Sequence, residues 1–349
     1  MPNFTGQLRP NEIFGALFNM IISQQVFADN VKGTYSTLVD KARVDGTLYG
    51  DTKLYYATDA LQSYAWDNDN EAANLLELNR PEAPECQAIV IDKFRQIRLT
   101  VDDYLSKRAW GTEGAFSSFN SIMKGWIRDT KKIYDSTLYN AYIGTAVAES
   151  EGQNQTLTLV DGTNDGLQYA EFLANLLVEL KDVSRDYNDY GYIRSYDESD
   201  LMVVWNAKFY NTIKKVDLPV IFHNEGLVSE FDQEVLPARY FGTVNTGTKE
   251  GDGSTVRSLI EQVIGSNHYF AGDLIKKGDT APAGTSYTEA KDIAFKVIHK
   301  RSVPYMSAFE VGTSFFNPRS LTTNHYLTFG HNTIEYLKNY PFITVKVSG

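Results

Sequence analysis

The chain is poor in the residues that several functional classes depend on. It has one cysteine, Cys86, in 349 residues. A single thiol excludes an internal disulfide framework and fits a reducing compartment. Histidine occurs five times, at 223, 268, 299, 325 and 331. Only His325 and His331 lie near each other, and their spacing reads as structural rather than metal-ligating. There is no phosphate-binding Gly-Lys-Ser or Gly-Lys-Thr loop, no Gly-x-Ser-x-Gly elbow and no His-Glu-x-x-His helix. The usual signatures of nucleotide, serine-hydrolase and zinc-protease chemistry are therefore missing. The most apolar N-terminal run, 13–22, is too short to span a bilayer. No basic region precedes it, so neither a secretion signal nor a membrane anchor is expected, and synthesis in the cytoplasm is.

Positive charge is also in deficit. Lys and Arg number 33 against 44 Asp and Glu, for a net charge of −11. That argues against a dedicated sequence-reading nucleic-acid binder, but not against loose contact through a local basic stripe. What the chain does have is tyrosine, 22 copies beside 19 Phe. An apolar ring with a polar tip suits surfaces that are wet at one stage and buried at another. Two acidic patterns remain. Asp161-x-Thr163-x-Asp165-Gly166 resembles the start of a calcium loop, but its twelfth position is Phe172, which has no carboxylate. Asp197-Glu198-Ser199-Asp200 precedes a strand and reads as a solvated turn. A soluble hydrolase or transferase using these acids and a histidine is the competing reading.

Periodicity predicts a mixed α+β chain. Ile13, Phe14, Leu17, Phe18, Ile21 and Ile22 have helical spacing, so 11–28 is expected to be a helix in an N-terminal arm. Segments 46–58 and 89–101 alternate, and about 13 residues of strand would span roughly 43 Å. Between them lie a polar stretch, Trp66 to Asn70, and two prolines, Pro81 and Pro84. A projecting hairpin is expected, resting on a neighbouring subunit because a lone hairpin is barely stable in water. A proline-free run from Ala115 to about Glu149 predicts a helix of roughly 50 Å. Its apolar side gathers Phe116, Phe119, Ile122, Trp126 and Ile127 among others; Lys124, Arg128, Lys131 and Lys132 fall opposite. Gly125 and Gly144 are expected to weaken it slightly. Further on, a helix is expected over 167–180, strands at 201–205, 218–222, 293–299, 326–329 and 342–347, and a short helix at 206–215. Segments 243–256 and 277–287 read as surface loops. Strands and helices do not alternate as in a doubly wound fold.

Arm, long hairpin, long helix, then a mixed α/β region: that order resembles the Hong Kong 97-type shell fold of tailed-bacteriophage major capsid proteins. Three local stretches carry the resemblance. Ser199 to Tyr210 (SDLMVVWNAKFY) resembles the family's strand running into an Asn-led helix. Ile293 to Ser302 (IAFKVIHKRS) resembles its late strand ending in a His-Lys pair. Asn317-Pro318-Arg319-Ser320, followed by the aromatic strand near Tyr326, resembles the final segment of small, short-tailed phage capsid proteins.

The resemblance implies a capsid protein that self-assembles into pentamers and hexamers of an icosahedral shell around double-stranded DNA, with no catalysis and no cofactor. It implies an N-terminal arm over 1–42 and an extended hairpin loop with flanking strands over 43–101. A peripheral domain with the spine helix would cover 102–151 and an axial domain 152–310, with 311–349 returning as C-terminal strands to the peripheral domain. Tyr55, Tyr56, Trp66, Asp67 and Asn68 are the expected subunit contacts. Lys124, Arg128 and Lys131 are expected to face DNA, with Asp135 diluting their charge. The region 243–290 is a candidate surface insertion. No cleavable pro-segment is visible, so a separate scaffolding protein is expected, with a portal protein, and the mature location is the virion. A bacterial nanocompartment of the same fold stays open as an alternative; co-purified DNA or a packaged enzyme would discriminate.

Overall fold

A computed structural model describes residues 37–45, 50–63, 78, 80–102, 113–145, 153–161, 165–214, 232–245, 286–289 and 292–348. The expected helix over 11–28, the tip residues 66–70 and the strand at 218–222 lie outside them. The helices are α1 (Thr37–Lys41), α2 (Glu113–Thr145), α3 (Asp165–Lys181) and α4 (Ala207–Lys214). The strands are β1 (Arg43–Asp45), β2 (Thr52–Ala57), β3 (Glu85–Asp102), β4 (Gln155–Thr158), β5 (Leu201–Asn206) and β6 (Asp232–Leu236). They continue with β7 (Gly242–Asn245), β8 (Ser286–Glu289), β9 (Ile293–His299), β10 (Tyr305–Asn317), β11 (Thr322–Asn332) and β12 (Phe342–Ser348).

Two compact units share these elements. Among the described residues, one takes in Phe94–Tyr134 and Glu310–Phe329; the other takes in Thr37–Lys93, Asp135–Phe309 and Gly330–Gly349. The segment 311–349 is shared between the two units. Its last strand, β12, pairs with β9 and β4. The reason is burial: Phe342, Ile343 and Val345 are fully buried in that sheet.

The larger unit is built on the sheet β4-β12-β9-β5-β6. β9 runs antiparallel to both β5 and β12. One face carries Val203, Trp205, Phe295, Val297, Ile343 and Val345, covered by Leu173, Leu176, Leu177 and Leu180 of α3. Those leucines recur at three- and four-residue steps, one face of a helix. Each contributes about 2 kcal/mol by leaving water. On the other face Tyr142 of α2 meets Phe342, ring centroids 6.3 Å apart. With both faces covered, every residue of β9 is buried. Asn206 ends β5 and caps α4: its side-chain oxygen accepts the Lys208 N–H at 3.1 Å, and its amide donates to the Ile293 carbonyl at 3.0 Å.

The other sheet has the order β1-β10-β11-β3-β2. β3 is 18 residues long, roughly 60 Å of strand. It is not half of a lone hairpin. β2 pairs antiparallel with residues 85–90 alone. Further along, Gln96 donates to Thr328 (3.2 Å) and Thr100 to Asn324 (2.6 Å) across to β11. A third strand removes the marginal stability of an isolated pair. β10 was not expected at all, and the strand read at 326–329 is the middle of a longer β11. Asn317-Pro318-Arg319-Ser320 makes the turn between them. The Asn317 side chain accepts the Arg319 N–H at 3.0 Å, and Leu321 takes a positive φ of 53°.

Two loop readings change as well. Residues 243–245 and 286–287 belong to the antiparallel pair β7–β8, from Gly242↔Glu289 to Asn245↔Ser286. Thr243, Val244, Tyr287 and Thr288 favour extended backbone; the surrounding Gly and Asp had concealed them.

Candidate assembly surfaces

Among the described residues, the acids of 197–200 and the histidines at 299 and 331 sit in structural contacts. Glu198–Asp200 is a single 3-10 turn. Lys300 closes it by donating from Nζ to the Ser199 carbonyl at 2.6 Å and from its backbone N–H to the Asp200 carbonyl at 2.9 Å. Glu198 pairs with Lys181 at 3.6 Å. His299 stacks on Tyr340 at 4.1 Å and accepts the Arg301 N–H on Nδ1, so that nitrogen carries no proton. Burial pushes its pKa down to about 4. His331 is buried and stacks on Tyr305. Among the described residues no group of acids, His and Cys is arranged to hold a metal ion, and no helix is long and apolar enough to cross a membrane.

Period-two geometry separates the paired tyrosines of β2, because neighbouring strand residues face opposite ways. Tyr55 turns inward against the cluster of Ile89, Ile91, Met306 and Leu337. Its phenol pKa is raised by burial and then by Tyr340. Tyr56 turns outward and is 64% exposed. The register places Thr52 opposite Val90, Leu54 opposite Ala88 and Tyr56 opposite Cys86. All six are exposed, so the outer face of this pair is an apolar band. Its inner face is clasped: Gln87 donates to the Tyr336 carbonyl at 2.9 Å and accepts the Lys338 N–H at 3.0 Å. Trp66, Asp67 and Asn68 lie outside the described residues.

The helical cations do not share one environment. Lys124 lies on α2, but its side chain is outside the description. Arg128 and Lys132 are exposed. Lys131 is only 6% exposed, its ammonium 5.3 Å from the Phe329 ring centroid. The expectation of an outward Lys131 is therefore corrected: β11 covers that side of the helix. Asp135 is likewise removed from the polar face. It is buried, accepts the Tyr305 hydroxyl at 2.7 Å, and pairs with Arg43 at 3.4 Å. From Asp135 to Gly144 every residue of α2 is buried, so this half is not amphipathic. Tyr139 donates to the Val303 carbonyl at 3.0 Å and the Tyr142 hydroxyl accepts the Tyr336 N–H at 3.0 Å.

Sequence reading missed a second apolar surface. Val311, Phe315, Phe316 and Leu321, in the smaller unit, are 45% to 62% exposed along β10 and its turn. Adjacent phenylalanines immediately before Asn-Pro were the available signal.

No curated protein matches the sequence. Solved structures similar in fold include the capsid structure of Staphylococcus phage Andhra (TM-score 0.65, 8% identity, covering 93% of this chain and 87% of that chain). Another is a chain from the structure of the head fiber and inner core protein gp22 of native bacteriophage P68 (TM-score 0.64, 11% identity, 92% and 87% covered). A third comes from Microbacterium phage Oxtober96 (TM-score 0.50, 9% identity, 98% and 100% covered). The fold is the α+β shell fold expected from the order of elements. The family model for Phi29-like phage major capsid proteins matches residues 6–345, so this chain belongs to that family and is a phage major capsid protein.

Proposed function

We propose that the subunit assembles through pentamers and hexamers into an icosahedral shell enclosing double-stranded DNA. It is made in the host cytoplasm and resides in the virion, with a separate scaffolding protein and a portal protein as partners. The family match over nearly the whole chain carries this reading. The outward apolar band of Leu54, Tyr56 and Val90 supports it, because large exposed apolar patches mark association surfaces. In this reading the β2–β3 hairpin and the segment between its strands lie over the next subunit, and the inward Tyr55 anchors the hairpin root to its own subunit. Tyr56→Ala and Trp66→Ala should leave the circular dichroism unchanged and lower shell yield, scored by sedimentation and negative-stain microscopy. An exposed tyrosine becoming an interface anchor is worth about 2 kcal/mol. A chain that stays monomeric at every concentration, with or without scaffolding protein, would overturn the reading.

The cations available for DNA contact differ from the expected set in one member. Arg128 and Lys132, with Lys124, are the candidates; Lys131 is engaged within the subunit. The contact is to phosphates, without sequence preference, and weakens with salt as counterions are released. Reversing charge at Lys124, Arg128 and Lys132 should keep assembly intact and reduce the DNA retained per particle, most at low salt. Equal DNA content across a salt series would make these residues a solvated helix face.

A further inference from the structure

Between α3 and the 3-10 turn, residues 184–194 form a loop closed by an antiparallel bridge. Ser184 and Arg194 exchange both backbone bonds, at 3.0 and 2.9 Å. Gly191 supplies a φ of +65°, which a side chain would strain. Asn188 holds the loop from inside, accepting the Tyr192 N–H at 2.9 Å and donating to the Tyr192 carbonyl at 2.7 Å. The loop is also tied outward: the Asp189 N–H donates to the Lys338 carbonyl at 2.9 Å, and its side chain accepts from Gln153 at 2.6 Å and from the Tyr336 hydroxyl.

This braced loop grips the chain where it leaves β2. Asp59 accepts the Ile193 N–H on Oδ1 at 2.9 Å and Arg185 Nη1 on Oδ2 at 2.7 Å. Oδ1 also accepts the Ala60 N–H at 2.8 Å. Arg185 is held in turn by the Gly191 carbonyl at 2.7 Å. Arg194 donates from Nη2 to the Thr58 carbonyl at 2.6 Å and from Nε to Asn339 at 3.1 Å. Two consecutive residues, Thr58 and Asp59, thus receive three bonds from one rigid loop. An exposed ion pair by itself contributes little. Three bonds converging on a two-residue pivot instead restrict direction.

We propose that Asp59 is a positioning residue for assembly: with Arg185 and Arg194 it sets the direction in which the segment after β2 leaves the subunit, and so where that segment meets the next copy. This rests on the reading that the segment overlies a neighbour. Residues 60–84, run out and back, can reach at most about 40 Å. A pivot error of about 15° would displace the far end of such a reach by about 10 Å, well beyond what a packed interface absorbs. The carboxyl is held down at about 2, first by the Ile193 N–H and then by Arg185. Its contribution is therefore complete above the ordinary carboxylate range and is lost only as pH falls toward 2.

The test uses the full-length chain, as Asp59→Ala, Asp59→Asn and Arg185→Gln, beside Tyr56→Ala. Three readouts are needed: thermal melting, hydrogen exchange at the Ile193 amide, and closed-shell yield by microscopy. Melting should stay within a few degrees of the parent. The Ile193 amide should exchange about tenfold faster in Asp59→Ala, since its acceptor is gone. Closed shells should fall about fivefold in Asp59→Ala and Arg185→Gln, replaced by open or misshapen sheets, with Asp59→Asn between because it keeps an acceptor. Faster exchange at Ile193 with normal shell yield overturns the proposal. If Tyr56→Ala meanwhile abolishes shells, the overlying-loop reading survives and only the positioning role falls; if neither affects shells, both fall. Should Asp59→Ala fail to fold, Arg185→Gln decides, since that side chain is 52% exposed; normal shells from it refute the role.

Discussion

Replacing Gly144 with alanine should leave little folded subunit. A Cβ built there lies 1.9 Å from the Tyr240 carbonyl oxygen and 2.5 Å from its carbon, with the Phe241 nitrogen at 3.2 Å. These are backbone atoms, so no rotamer change relieves them. The 3-10 turn that carries them is internally bonded, Tyr240 N–H to Pro237 and Phe241 N–H to Ala238, and both rings are buried. Helix or turn must move by more than 1 Å within packed surroundings, roughly what separates 1.9 Å from ordinary contact. Alanine gains at most about 1 kcal/mol in helix propensity. Against it stands an overpacking cost of several kcal/mol, from a total stability of about 5–15 kcal/mol. Insoluble protein, or a melting midpoint lower by more than about 10 °C, is the expected result. Gly125→Ala is the control: nothing lies within 4 Å of its Cβ, so it should be neutral or slightly stabilising. Equal melting of the two variants would mean that the close approach is not maintained in solution. The sequence expectation that Gly144 merely weakens the helix is thus replaced by a packing role.

Lys296→Met should stabilise the subunit at neutral pH. Lys296 is fully buried in β9, opposite Val204 and Thr344, and its Nζ has no hydrogen-bond partner. Its ammonium is compensated by the Phe342 ring, 5.0 Å away, a contact worth up to about 2 kcal/mol when desolvated. Burial first, and then the charge of Lys346, lower the pKa from 10.5 to about 7. A lowered amine pKa means that the unfolded chain binds the proton more tightly. Stability therefore falls as pH drops from about 10.5 to about 7 and levels off below. At pH 7 the accumulated cost is on the order of 4 kcal/mol. Methionine keeps the volume without the charge, so a gain of about 2–4 kcal/mol at pH 7 is expected, shrinking toward zero near pH 10. Urea midpoints at the two pH values measure it. A gap that does not narrow at high pH would show that the amine does not carry this cost.

Much of the secondary structure was legible in local patterns. The leucines of α3 repeat at helical steps, β5 and β9 are short apolar runs, and β3 alternates over its length. The short helix after Trp205 was legible too, with Asn206 proving to be its cap and not its first residue. The order of these parts was enough to resemble the shell fold. The same patterns could not say what covers each face. Periodicity assigns residues to sides of an element; burial depends on which distant segment arrives there. Tyr55 and Tyr56 are opposite by geometry, yet only the cluster around Ile89 and Leu337 decides which one is buried. Lys131 looked solvent-facing until Phe329 of β11 covered it, and Asp135 looked like a surface acid until Tyr305 and Arg43 enclosed it. β10 escaped notice because its exposed residues do not alternate: Val311, Phe315 and Phe316 leave no period-two signal without a covering layer. The composition and chain order of this capsid protein determined that it is an α+β shell subunit. Its contacts between residues far apart in sequence, such as Asp59 with Ile193 or Gly144 with Tyr240, were decided only by tertiary structure, because a hydrogen bond or a close approach needs both partners in place.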